Sequence, residues 1–323
     1  MKQRYSSLDA LCGILIIHMI IGHVFEWSSL ADSKFYAWQQ RILFFFMPWF
    51  FFKSGMFYRE RNFQTNIEAS FRRLIVPLFC FTLLGMPHHW IKLYLAGDTN
   101  TIHYLLSPLK SFIVIGNNVG NLPLWFLLAL FGVTVICNYL FMHIKPAYVL
   151  TISFALAAIE NICKFPLPHY IPNVLLGIAF YSSGHILSEW QHKHYVWTTG
   201  LIVYIFSIAL FPQFVDVRTN TLQHGNYLLW FCISIASCMA FNNMFKLFQA
   251  YLPTFLADIG RDSLIYYVTH WLVISYTAIL LEYVFDIKEG WYMWCIIALT
   301  NIIILPFCAR ALKRKKLRFA IGQ

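Results

Sequence analysis

The stretch LDALCGILIIHMIIGHVFEW, Leu8 to Trp27, is long and apolar enough to cross a bilayer as one helix, yet it carries Asp9, His18, His23 and Glu26. Ionisable groups inside a spanning helix are costly, and each marks a functional position by default. Cys12 stands eleven positions before His23, about 1100° at roughly 100° per residue, so the two share a face ~16 Å apart. Asp9, Met19 and Glu26 fall near the same stripe, with His18 turned about 140° away from His23. One face therefore runs polar from near one membrane surface deep into the bilayer. With Asp9 at the inner surface, His23 lies ~21 Å further along the axis, past the midplane.

The remainder of the chain has the same character. Hydrophobic residues make up 59% and charged residues 12%, and the mean hydropathy is +0.61; these values exclude an ordinary soluble domain. Ten spans are expected, near 8–27, 40–58, 72–90, 123–142, 147–162, 170–188, 195–212, 226–245, 264–284 and 291–309, with Pro48, Pro77 and Pro172 interrupting three of them. The architecture expected is an all-α bundle with both termini on one side. Placing that side in the cytoplasm puts sixteen Lys and Arg on inner segments against seven on outer ones, as the positive-inside rule requires. The net charge of +10 then needs no nucleic acid to explain it. Residues 1–310 read as one integral domain. Residues 311–323 read as a basic tail, more readily a stop-transfer and lipid-headgroup anchor than a binding motif.

Lys2 and Arg4 before an apolar run imitate a signal peptide, but no small-residue cleavage site follows, so the run reads as a retained helix. The eight cysteines are scattered without metal-ligand spacing and suit small buried hydrophobes, so no metal is expected. No glycine-rich phosphate loop or tandem repeat is present.

Against this background stand "FFFMPWFFFKSGMFYRERN" with its basic continuation "SFRRLIVP", and "DIGRDSLIYYVTHWLVI". Together with the first span they resemble the membrane-bound acyltransferase-3 family, in particular its sugar O-acetylase branch, which includes fucose 4-O-acetylase-like proteins. The residues that carry the resemblance are Asp9, Cys12, Gly13, Gly22 and His23; Met47, Pro48, Phe51, Phe52, Ser54 and Gly55; Arg73, Leu74 and Pro77; Trp125, Phe126 and Leu127; and Gly260, Ser263, Leu264, Tyr267 and His270. The resemblance implies transfer of an acyl group, usually acetyl from acetyl-CoA, to a hydroxyl of an envelope or exported carbohydrate, and so a bacterial inner-membrane location. It makes His23 catalytic and associates Arg73, with Arg72, with the acyl-CoA. Three positions depart from the family pattern: Cys12 replaces a basic residue, Ser70 stands where a second basic residue is usual, and Phe46 replaces a frequent histidine.

The chemistry reads the same way from the residues. O-acylation needs a base for the hydroxyl proton or a nucleophile to carry the acyl group, and histidine suits either role. Glu26, three positions on, can orient the His23 imidazole. His18 reads as structural. His270 is equally a packing contact or a second polar wall. Asp9 suits the acid of a helix N-terminus as well as a site position. Ser54 and Gly55 suit close helix contact. Arg59, Arg61, Arg72 and Arg73 bracket one loop, either to hold donor phosphates or through the positive-inside rule alone. Two other readings use the same stripe: a saccharide or lipid-linked-substrate exporter in which it lines a path, and a family member rendered inactive by Cys12.

Overall fold

A computed structural model of the chain describes residues 6–95, 97, 100–189, 194–210 and 212–323. The described residues are almost entirely helical: α1 (Ser6–Trp27), α2 (Lys34–Ile42), α3 (Phe46–Met56), α4 (Phe63–Ser70), α5 (Val76–Leu95), α6 (Thr101–Lys110), α7 (Trp125–His143), α8 (Pro146–Cys163), α9 (Tyr170–Ile186), α10 (His194–Leu210), α11 (Tyr227–Leu247), α12 (Thr254–Arg261), α13 (Ser263–Val284) and α14 (Trp291–Leu312). A π-helical turn, Phe71–Ile75, joins α4 to α5. A short antiparallel hairpin, β1 (Phe214–Asp216) and β2 (Thr221–His224), precedes α11. The protein is an all-α membrane protein.

Among the described residues, seven helical stretches are long and apolar enough to span: Ser6–Trp27, Phe63–Leu95, Leu122–His143, Pro146–Cys163, Tyr227–Leu247, Ser263–Val284 and Trp291–Leu312. The other three expected spans are present as shorter helices. The stretch 40–58 bends between α2 and α3, and α9 and α10 have 17 residues each. Pro48 and Pro172 fall in the first turns of α3 and α9, where a missing N–H leaves no carbonyl unpaired, whereas Pro77 follows the π-helical turn inside the continuous stretch Phe63–Leu95. Large apolar side chains such as Ile302, Leu83 and Ile202 point outward at 71%, 69% and 68% exposure, as lipid contact requires.

The chain forms two compact units. One comprises Met1–Leu15, Arg41–Ser70 and Ala129–Arg261; the other comprises Ile16–Gln40, Phe71–Leu128 and Asp262–Gln323. In the first, α3 lies against α9, α8 beside α9, and α10 beside α11. Glycines set the close approaches: a Cβ at Gly55 would sit 1.8 Å from the Tyr181 carbonyl oxygen, and one at Gly184 2.0 Å from that of Phe52. Gly13 and Gly260 do the same between α1 and α12, meeting the carbonyls of Leu256 and Asp9. Buried polar groups close on one another. Trp49 donates to Asn242 Oδ1 at 2.8 Å, and Asn220 links Glu160, the Ala157 carbonyl and Tyr227. The polar end of the fifth expected span, Glu160–Asn161, therefore anchors the turn of the hairpin.

In the second unit α13 packs on α5 and α14. Gly85 admits the carbonyl of Gly120. Asn121 donates to the Val268 carbonyl at 3.0 Å, Tyr276 to that of Leu84 at 3.0 Å, and Tyr267 to that of Pro123. Gly184→Val forces apart two backbones that cannot yield, so it should cost ~3 kcal/mol or prevent folding. Gly132→Ala adds a methyl that meets only Val174 side-chain carbons, the nearest at 3.3 Å, and should cost clearly less. Thermal melting of the detergent-purified variants, read by size-exclusion fluorescence, checks the order.

Candidate active site

The second unit gathers polar side chains around His23. The i,i+3 spacing on α1 brings Glu26 to it, and His23 Nδ1 donates to Glu26 Oε2 at 2.8 Å. Glu26 Oε1 accepts from the Tyr36 hydroxyl of α2 at 2.9 Å. A carboxylate only accepts, so Nδ1 carries the proton and Nε2 is left as the ring's basic nitrogen. The site is not sealed, since the side chains of His23 and Glu26 keep 23% and 43% of their surface exposed.

His270 of α13 stacks on His23, ring centroids 5.4 Å apart and 22° from coplanar. Its Nδ1 donates to the Tyr267 carbonyl at 2.7 Å, with the Tyr266 carbonyl at 3.2 Å, which fixes the same tautomer. His270 is fully buried, and its Nε2 has no hydrogen-bond partner within the protein. Trp271 sets its ring edge-on to His23 at 5.3 Å and packs on Trp27 at 5.5 Å, and its buried indole N–H is likewise without a partner. Buried atoms without a partner occur elsewhere too, at Trp230 and Trp294 for example, but these two belong to rings that both pack on His23. Trp27 then meets His88 at 6.3 Å, and Lys92 Nζ lies 3.9 Å over the Trp27 ring.

Gly22 has its own local reason. A Cβ there would stand 3.2 Å from Gln40 Nε2 and 3.3 Å from Gln39 Nε2, so the glycine gives both amides room against α1. Gln39 donates to the His18 carbonyl at 2.7 Å and its Nε2 lies 3.1 Å from His18 Nδ1. His18 thus serves the α1–α2 contact.

The other anticipated positions lie as follows. Arg72 and Arg73 are exposed on the π-helical turn, fifteen or sixteen residues before His88 and so roughly 22–24 Å from it along α5. In the first unit, Asp9 is half-buried with its carbonyl against Gly260, Cys12 is buried at 2% exposure, and Ser54 donates to the Phe50 carbonyl of its own helix at 2.8 Å beside Gly55. Among the described residues no group of three or more His, Cys, Asp or Glu could hold a metal ion. The residues that sequence reasoning passed over are Tyr36, Trp27, Trp271, His88 and Lys92. The repeated His-Trp pair, His89–Trp90 and His270–Trp271, with Lys92 just beyond the first, was the available signal.

A membrane bundle with a carboxylate-held histidine facing unsatisfied polar atoms defines a class of site, one able to move a proton or an acyl group in a low-dielectric interior. The acyltransferase-3 family model, described as an acyltransferase domain, matches residues 5–310, and the chain belongs to that family. It is an integral membrane protein of an acyltransferase family. No curated protein and no solved structure matched the chain.

The assigned tautomers are directly observable. In protein carrying nitrogen-15 histidine, His23 and His270 should each show a protonated Nδ1 and a bare Nε2, with resonances assigned by single His→Asn variants. Glu26→Ala should abolish the preference at His23 and leave it at His270.

Proposed function

We propose that the chain is an O-acetyltransferase of the bacterial inner membrane, moving acetyl from acetyl-CoA to a hydroxyl of a cell-surface or exported saccharide. The three shorter helices complete ten spans, with both termini in the cytoplasm. The observation that carries this reading is the His23–Glu26–Tyr36 chain set against the unsatisfied atoms of His270 and Trp271.

His23 Nε2 takes the proton of the acceptor hydroxyl as its oxygen attacks the thioester carbonyl. Glu26 holds the ring and stabilises the imidazolium that forms, the role an orienting carboxylate plays in hydrolytic triads. The Trp271 indole N–H is the donor available to the carbonyl oxygen as negative charge builds on it. Collapse breaks the C–S bond, the O-acetyl ester leaves, and the CoA thiolate recovers the proton from His23.

The separation of two regions supports the donor class. A cationic turn at Arg72–Arg73 lies more than 20 Å of helix from the aromatic cluster around His23, roughly fifteen residues at 1.5 Å each. A donor that uses both must be long, anionic at one end and reactive at the other, which describes an acyl-CoA. Arg side chains suit its phosphates through bidentate, charge-assisted hydrogen bonds.

With purified protein, acetyl-CoA and a mixture of envelope saccharides, His23→Ala should lower transfer by about a thousandfold or more while donor binding persists. Glu26→Gln should lower it by about ten- to a hundredfold. Arg72→Ala and Arg73→Ala should chiefly raise the donor KM. Unchanged turnover in His23→Ala would remove the histidine from the mechanism. Saccharide flux across sealed vesicles without donor binding would favour an exporter.

A further inference from the structure

The C-terminal basic tail folds back onto the arginine turn. After α14 the chain turns through residues 313–317 into a short 3₁₀ segment, Arg318–Ile321, which packs against both α5 and α14. Ala320 and Ile321 are buried at 8% and 2% exposure. Gly322 follows with φ +72°, and a Cβ on it would fall 2.2 Å from the Arg72 carbonyl oxygen and 2.9 Å from the Arg73 Cα. Only glycine combines that backbone conformation with that approach. Lys313 pairs with Asp262, and Arg318 Nε donates to the Lys313 carbonyl at 2.8 Å, fixing both ends of the intervening run. Arg314, Lys315 and Lys316 between them are exposed.

A lipid-headgroup anchor needs only loosely held cations. Here the tail is held by a buried isoleucine, two polar ties and a glycine that fits one place, against the Arg72 carbonyl of the turn that presents Arg72 and Arg73. We propose that the tail is the second wall of a phosphate-binding site, with Arg314, Lys315 and Lys316 joining Arg72 and Arg73 around the phosphates of a nucleotide-bearing donor. The inference rests on the donor reading above. Two cationic walls suit a ligand with several phosphates, because each further phosphate gains its own charge-assisted pair.

The test uses the full chain in nanodiscs of pure phosphatidylcholine, with adenosine 3′,5′-bisphosphate and acetyl-CoA as probes. Gly322→Val keeps every charge but undocks the tail; the triple variant Arg314→Ala, Lys315→Ala, Lys316→Ala keeps the dock but removes charge at exposed positions. Each should weaken both probes by about tenfold or more, with little change in kcat at saturating donor. Wild-type affinity in the triple variant would overturn the proposal. So would a loss that appears only when phosphatidylglycerol is added, which would assign the tail to lipid. If the wild type binds neither probe, the donor reading fails together with it; if the wild type binds and the triple variant binds equally, only the tail's role fails.

Discussion

Lipid supplies no hydrogen bonds, so every polar group carried into the bilayer must find its partner within the protein. Most side chains here obey in plain view: Trp49 with Asn242, Asn220 with Glu160 and Tyr227, Tyr276 with the Leu84 carbonyl. Exceptions occur in several places, at Trp230, Ser234 and Trp294 for example, and those around His23 differ in belonging to rings that pack on one histidine. His270 spends Nδ1 on a backbone carbonyl and leaves Nε2 unspent, and Trp271 beside it keeps an indole N–H unspent. An unmet buried donor or acceptor costs about 1–3 kcal/mol, and here two of them sit beside a carboxylate-held imidazole. Transition-state charge is what such atoms can meet without reorganisation.

The class of the fold was legible because it depends on averages: a high hydropathy and few charges leave only a membrane bundle. The pairing of His23 with Glu26 was legible for the opposite reason. His23 and Glu26 are anomalies in an apolar helix, and the i,i+3 relation that joins them is a property of the sequence alone. His270 was visible as another anomaly, but its stacking on His23 is a tertiary fact that no spacing encodes. The aromatic wall was hidden by abundance, since in a chain that is 19% aromatic Trp27 and Trp271 look like any other ring. The span count also exceeds what local hydropathy can decide. A stretch such as 40–58 is apolar over Ile42 to Phe52, yet it bends where α2 ends and α3 begins.

Several sequence features that looked like signatures prove to be conditions of approach. Gly13 and Gly260, far apart in the chain, each admit a carbonyl of the other's helix. Gly22 clears space for two glutamines that tie α2 to α1, and α2 in turn delivers Tyr36 to Glu26. The glycine beside the histidine therefore acts on the site through a neighbouring helix, which is why the pair Gly22–His23 carries information that neither residue carries alone.

Cys12 raises the question of charge. The family pattern has a cation at that position, whereas here a small, nearly fully buried thiol fills it. A cation buried to that degree would need a paired anion and several hydrogen bonds to offset its desolvation. Cysteine needs neither, so the substitution removes a charge and its cost together. The loss bears on whatever anion the cation would have met. Exposed cations in this chain lie instead at the surface, among them Arg72 and Arg73 on the π-helical turn and Arg314, Lys315 and Lys316 in the run after α14. Positive charge there stays hydrated until a ligand arrives, and its attraction reaches about a Debye length into solution. A buried cation would act at contact, whereas a surface cluster acts during approach. The physical consequence of Cys12 is that α1 carries no buried cation at this position, eleven residues before His23 on the same helix face.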